Sequence, residues 1–438
     1  MSKKTKKKAE EFVPEVLDIP EDQIWEYQIE GLAAPHINKP FNNALPKKIA
    51  FIVFMVIAIL ISMYFSVKVL LNTGKIEYED IENGVQLTQF SNNGAILSFD
   101  VDYVSEIEYK DNSLQLAGTD GSDAKFKIIK DEKKPITSIH EYAFNCDGTL
   151  QVVNIGATVT NIDERAFYSC WALQCIYVDD DNPNYCDIDG VLYNKDMTEI
   201  ICFPIDHDRY LRLQNGYAHL DENGVQVSDL VDDNGNPMEE LWWTTEKYDA
   251  EFFKEYNLKT RTYVLPSTVT KIGANCFNYA NVTDVYLPDS LKEIDTLAFY
   301  DEGNLHNIYT YIPSAEPMLD TSYKAVSTLQ GVYYSLPDKL EKIGSDCFTK
   351  DRGLNYMYIP SSVKEIGHHA FWDTCLKEEG TLNGIAEMNI GTDEAAFKSK
   401  KIGSEWLPKY DHLLFHKAVE VKYNADRADL QNVDWWYN

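Results

Sequence analysis

The chain has 438 residues, of which 44% are hydrophobic, 25% charged and 13% aromatic, with 28 tyrosines and a formal net charge of −30. That length exceeds one ordinary globular core, so several units are expected. So acidic a surface repels phosphate backbones and argues against nucleic acid as a partner.

Residues 1–47 are mostly polar and read as a disordered tail. Residues 48–71 follow as a different kind of segment. From Ile49 to Val67 the chain runs IAFIVFMVIAILISMYFSV, 19 residues without a charge. As a helix this reaches about 28 Å, close to the hydrocarbon thickness of a bilayer. A buried core helix would carry a polar stripe, and none is visible. A cleaved signal peptide has a shorter apolar part and a small-residue cut site. Here the chain continues as VKVLLNTGKI with no such site, so 48–71 is predicted to be one transmembrane signal anchor.

Lys3, Lys4, Lys6, Lys7, Lys8, Lys39, Lys47 and Lys48 precede this span, while Lys68 and Lys75 follow it closely. The bias of positive charge predicts a cytoplasmic N-terminus, with 72–438 outside the cell membrane. Residues 1–71 hold 9 basic and 8 acidic residues, a net of +1, so the remainder carries −31. The lysine cluster itself reads either as a topology signal or as a contact for lipid headgroups or a cytoplasmic partner.

Residues 72–135 alternate apolar and polar positions (GAILSFDVDYVSEIEY, KFKIIK) and are expected to form a β-rich cap. From 136 a unit of about 23 residues recurs to 391. Its clear copies include ITSIHEYAFNCDGTLQVVNIG, VTNIDERAFYSCWALQCIYV, VTKIGANCFNYANVTDVYLP and VKEIGHHAFWDTC. V-x-x-I or L-x-x-I gives one short strand. A small residue followed by Phe then turns inward, so Phe144, Phe167, Phe277, Phe299, Phe348 and Phe371 should stack as a continuous spine. A second strand, L-x-x-V-x-I/L-P, closes at Pro266, Pro288, Pro313, Pro337 and Pro360, where no ladder donor is needed. One unit cannot bury its apolar side alone, but stacked units can, which predicts a solenoid. The units occupy 136–204, 263–313 and 334–391. Insertions at 205–262 and 314–333 break the period, the first with a helix expected near Thr245 to Tyr256. Residues 392–438 lose the pattern and read as the opposite cap.

The pattern resembles the BspA-like, or Treponema pallidum type, leucine-rich repeats, whose motif L-P-x-x-L/V-x-x-I-G-x-x-A-F-x-x-C is matched, with one extra residue before the Cys, by IPSSVKEIGHHAFWDTC at 359–375. The passage DDDNPNYCDIDGVLYNKDMTEIICFP at 179–204 looks like the hairpin that interrupts such arrays. The resemblance implies a mainly β solenoid ectodomain and a surface protein linked to adhesion and binding. Cys170 falls on the motif's last position, Cys375 comes one residue beyond it, and Cys276 and Cys347 replace its small residue, which suits buried free thiols. A bridge, if one forms, is expected within Cys146, Cys170, Cys175, Cys186 and Cys202. No C-x-x-C metal spacing, Walker loop or G-x-S-x-G elbow occurs, and His412 and His416 lack a third ligand. Neither cofactor, metal site nor enzymatic activity is expected.

The middle outward position of the second strand is Asn154, Tyr177, Tyr286, Tyr309, Tyr358 and Asn389. Strands stacked about 4.8 Å apart would align these six as a row on one face. Tyrosines in a row offer flat apolar area and hydroxyl donors to a protein or glycan ligand. Tyrosine's high β-propensity explains the same row without a ligand. The rival function is a rigid scaffold or spacer in a membrane complex. An enzyme with its site in the insertions ranks third.

Overall fold

A computed structural model describes residues 75–427 apart from 92–97, 102, 110–125, 146–147, 223–225, 233, 239–247, 302–303, 352, 355, 379–380, 386 and 408–418. The tail at 1–47, the anchor at 48–71, Cys146 and the His412/His416 pair lie outside the described residues. Among the described residues, no helix is long and apolar enough to cross a membrane.

Each coil of the array starts with a two-residue parallel strand. Lys271–Ile272, Glu293–Ile294, Lys342–Ile343, Glu365–Ile366 and Lys401–Ile402 pair in succession. The isoleucines point inward and are buried in the first four of these strands. The outward partners alternate in sign, as Glu199, Lys271, Glu293, Lys342, Glu365 and Lys401. Lys271 meets Glu199 at 2.8 Å, and both Lys342–Glu293 and Lys401–Glu365 close at 2.5 Å. Exposed pairs of this kind contribute little each, about 0–1 kcal/mol. Their alternation matters more for register, because a slip by one coil would set like charges opposite each other.

The glycine after the isoleucine has a steric cause. A Cβ on Gly344 would sit 2.4 Å from Thr296 N, one on Gly367 2.3 Å from Ser345 N, and one on Gly403 2.3 Å from His368 N. The backbone of the preceding coil passes where a side chain would stand. The turn then needs left-handed residues at two places. One directly precedes the small residue (Tyr142, Asn275, Leu297, Asp346, His369, Glu405), and the other lies two after the Phe (Ser169, Tyr279, Asp301, Lys350, Asp373). Each costs on the order of 1 kcal/mol. Coil-to-coil backbone bonds offset that cost, as Phe277 N to Ala298 O, Phe299 N to Cys347 O and Phe348 N to Ala370 O, all 2.8 Å.

The Phe rings lie parallel. Centroids are 5.2 Å apart for Phe144–Phe167, 4.9 Å for Phe277–Phe299, 5.2 Å for Phe299–Phe348 and 5.1 Å for Phe348–Phe371, all tilted by 8° or less. The spine expected as continuous runs instead in two stacks, each within its own hydrophobic cluster. Phe90 packs on Phe144 at the head of the first, and Phe203 heads the second, 4.9 Å from Phe277.

The array reaches further than the repeat pattern indicated. Before it, Ser98–Val101 pairs in parallel with Val152–Ile155, so part of the N-terminal β region already acts as a coil. After it, Lys401–Ile402 and Glu420–Tyr423 extend the two strand rows beyond 391. There Trp406 and Leu407 stand where Ala370 and Phe371 stand one coil earlier, which hides the motif, and Phe371 N still bonds Trp406 O at 3.0 Å. The 179–204 passage forms strands Tyr185–Ile188, Val191–Asn194 and Glu199–Cys202, and the last pairs in parallel with Lys271–Ile272. Among the described strands it opens a second ladder, separate from the one that ends at Asn161–Ile162, so the row of short strands breaks at this hairpin.

The first insertion folds as helix α1 (His207–Gln214), a small hairpin and helix α2 (Ala250–Thr260). Asp249 caps α2 by accepting from Phe252 N. Asp208, Arg212 and Arg261 tie the helices together, with Arg212–Asp208 at 2.6 Å. The second insertion holds the short helix α3 (Tyr323–Val326) and the strand Gln330–Tyr334. Cys170, Cys175, Cys186, Cys202, Cys276 and Cys347 are free thiols. Cys170, Cys276 and Cys347 are buried, and the Cys170 thiol donates to Phe144 O.

Candidate functional site

The second strands place the six outward residues in three short ladders rather than one row. Asn154 pairs with Tyr177, Tyr286 with Tyr309, and Tyr358 with Asn389. The physical cause is what lies between them. The hairpin and first insertion separate Tyr177 from Tyr286. After Tyr309, strand Gln330–Tyr334 pairs antiparallel to Asn307–Ile312 and ends that sheet.

Their surroundings differ as well. Tyr286 and Tyr309 are half-buried and stacked, with centroids 4.7 Å apart and a tilt of 19°. Tyr334 closes edge-on against Tyr309 at 5.6 Å, and its hydroxyl donates to His306 O. Beneath them Asn307 Nδ2 and Thr283 Oγ1 both donate to Asp284, each at 2.8 Å. Burial, reinforced by the Asp284 and Tyr309 charges, lifts the Tyr286 phenol, so it remains a neutral hydroxyl. Tyr177 is 39% exposed, and burial followed by contacts with Cys175 and Tyr210 of α1 raises its phenol. Asn154 Nδ2 donates to Asp100 at 2.7 Å.

Tyr358 and Asn389 face inward-packed surroundings. Tyr358 is 8% exposed because Ala425 and Tyr334 cover it. Close by, Arg427 lies 3.9 Å over the Tyr333 ring and pairs with Asp338 at 2.8 Å. Asn389 is 2% exposed and donates to Glu387. Tyr177, Tyr286, Tyr309 and Asn154 are thus the members of the six that reach solvent.

A second aromatic group, not found by sequence reasoning, lines the turn edge of the coils. Tyr142 and Tyr168 meet edge-on at 5.8 Å, Trp171 packs on Tyr279 at 4.7 Å, and Tyr279 meets Tyr300 at 5.8 Å. Tyr279 also hydrogen-bonds to Tyr168, and Trp171 is 48% exposed. Lys350 lies 5.0 Å over Tyr300, which raises the lysine through a hydrogen bond. The available signal was the residue after the spine phenylalanine, which is aromatic in Phe167-Tyr168, Phe299-Tyr300 and Phe371-Trp372. Beside this group a notch opens among Asp163, Glu164, Tyr168, Cys202 and Asn275. The described residues hold no group of three His, Cys, Asp or Glu poised to bind a metal.

Residues 123–200 and 246–379 match the BspA type leucine rich repeat region in six copies. No curated protein matches the chain. Among solved structures it aligns with the pneumococcal vaccine antigen PcpA at 14% identity and a TM-score of 0.38, over 82% of this chain and 94% of that one. A leucine-rich repeat protein from Bacteroides ovatus aligns at 14% identity and 0.33, over 76% and 66%. A leucine rich cell surface protein from Faecalibacterium prausnitzii aligns at 14% and 0.25, over 81% and 95%.

Proposed function

We propose, starting from a chain whose repeats belong to the BspA-type leucine-rich repeat family, that it is a membrane-anchored surface protein that binds a protein or glycan ligand. Members of the family are typically binding or structural proteins, which supports this reading. In this reading residues 48–71 cross the membrane once, 1–47 stay in the cytoplasm, and 72–438 face outward. The uncharged 19-residue run, the lysine excess before it and the acid excess after it support that arrangement.

Ligand contact is assigned to Tyr286 and Tyr309. One observation carries the assignment: two stacked, half-buried rings held on parallel strands, with the Tyr286 hydroxyl kept neutral by burial. Such a pair offers contact area that is already ordered, so little side-chain entropy is lost on binding. Anchoring many copies to one membrane would add avidity to a shallow contact.

The test is an array of glycans and matrix proteins probed with the full chain and with a Tyr286→Ala/Tyr309→Ala variant. Binding should fall while the thermal midpoint moves little, since an aromatic pair contributes about 0.5–1.5 kcal/mol. A lowered midpoint with unchanged binding would assign the pair to sheet packing alone. Protease shaving of intact cells should release 72–438 and spare 1–47.

The alternating Glu/Lys ladder and the Phe stacks favour a second reading, a stiff spacer holding a membrane complex, with 1–47 recruiting a cytoplasmic partner. Pull-downs from full-length and 1–47-deleted chains separate the two.

A further inference from the structure

The geometry points to a separate subsite for a neutral sugar ring at the turn edge, where the coil ending in Phe203 is too short to fill its place. Regular coils carry four residues between the inward isoleucine and the Phe, as in Ile272-Gly-Ala-Asn-Cys-Phe277. The coil from Ile200 to Phe203 carries two. It still bonds onward in the regular way, Phe203 N to Cys276 O at 2.9 Å. It therefore lacks the residue that would stand between Arg165 and Asn275 in the column that precedes the small residue of each coil.

Elsewhere that column satisfies itself. Arg165 donates to the Tyr142 hydroxyl at 2.9 Å, and His369 sits 3.5 Å from Asp346 and 3.0 Å from Glu405. Asn275 instead borders the notch, and both atoms of its buried amide lack a hydrogen-bond partner among the described residues. Asn278, one turn on and 4% exposed, has an unpartnered amide too. A buried amide left unpaired is costly, so a ligand group that reaches the one on Asn275 is favoured.

The surrounding chemistry selects the ligand class. The notch admits little more than a water-sized group, so it takes a projecting hydroxyl or hydroxymethyl, not a ring. Trp171, 48% exposed on Tyr279, supplies the flat surface on which a ring can lie. Asp163 and Glu164 turn away anions. An ammonium group suits carboxylates but offers donors only, whereas the Asn275 Nδ2 needs an acceptor. A sugar hydroxyl is both donor and acceptor, and its carrier is uncharged. This site is independent of the Tyr286/Tyr309 contact and stands whether or not that contact binds a ligand.

Saturation-transfer NMR and calorimetry on the full chain would use lactose, cellobiose, chitobiose and mannobiose, with sialyllactose and tetramethylammonium as charged comparisons. At least one neutral disaccharide should bind. Trp171→Ala and Asn275→Gly should each weaken it about tenfold, the size of one lost contact. Glycine keeps the left-handed backbone at 275, and Trp171 is an exposed residue whose loss leaves the core intact. Tyr286→Ala/Tyr309→Ala should leave the disaccharide affinity unchanged. The assignment is overturned if none of the four disaccharides binds, if only a charged probe binds, if Trp171→Ala and Asn275→Gly both bind like the parent, or if Tyr286→Ala/Tyr309→Ala abolishes binding.

Discussion

Gly367→Ala should destabilise the array by several times the usual effect of a surface change. The added Cβ would lie 2.3 Å from Ser345 N and 2.5 Å from Gly344 C. Ordinary contact is about 3.5 Å, so the coils must part by about 1 Å. Neither neighbour is a side-chain tip that can swing away, because both are backbone. Parting also stretches the bond from Gly367 N to Ile343 O, now 2.8 Å. Overpacking costs about 1–3 kcal/mol and a weakened buried hydrogen bond about 1 kcal/mol. The lower entropy of the unfolded alanine chain returns about 0.4–1 kcal/mol. The net loss is then about 2–3 kcal/mol. Gly148→Ala is the matched control, since a Cβ there meets nothing within 4 Å and the backbone is not left-handed. It should be neutral or gain up to about 1 kcal/mol. Urea unfolding followed by far-UV circular dichroism reads both, and amide exchange should place the loss in the coils flanking 367. If Gly367→Ala stays within about 0.5 kcal/mol of the parent, the close approach of the coils is not what demands glycine there.

Two pH experiments test the buried ionisable groups. Burial holds the His306 imidazole down at about 4, from an ordinary 6.5. The unfolded chain then takes up a proton near pH 6.5 that the folded chain refuses. The stability His306 contributes is full above that pH and is lost as pH falls toward 4, up to about 3 kcal/mol. His306→Gln should flatten the unfolding free energy between pH 6.5 and 4, and an unchanged slope would discount the burial. Asp351 is fully buried in the place that Cys170 occupies in its own coil, and burial raises its carboxyl well above the usual range. The folded chain keeps a proton that the unfolded chain releases near 3.8, so the penalty grows as pH rises above that value. Asp351→Cys should therefore stabilise at pH 7.5 and do nothing at pH 3.5. An equal effect at both would show that shape rather than charge decides the position.

The parts of the fold that were legible are those each coil specifies for itself. The inward isoleucine, the small residue and the Phe recur because every coil meets the same neighbour at the same spacing. What escaped notice depends on partners far along the chain. Phe203 joins the spine from a passage with no Ala-Phe pair. The coil at 401–407 presents Trp406 in the small residue's place. The row of six outward residues was legible as a phase but not as a surface, because strand Gln330–Tyr334 carries no period and still ends one sheet. Tyr358 loses its exposure to Ala425, 67 positions later, and no local pattern encodes that contact. The notch was least legible of all, since it is made by residues the chain omits.

A regular solenoid leaves little to a ligand, and this follows from its own satisfaction. In the unbroken coils backbone groups bond to the next turn, the back-face acids meet lysines, and Asp346, His369 and Glu405 close on each other. To free a donor there, a substitution would strand its partner in the adjacent coil and cost the fold about what a ligand returns. Where the stacking changes, the same groups lose their neighbour without any residue being mutated. Asn275 beside the shortened coil is one such place. The Tyr286–Tyr309 sheet, bounded by α2 on one side and an antiparallel strand on the other, is a second. Irregularity in the array is therefore where recognition can be gained at least cost to folding. Lengthening the Ile200–Phe203 turn by two residues puts that argument at risk: it should raise stability and remove the sugar site together, whereas loss of one without the other would separate them.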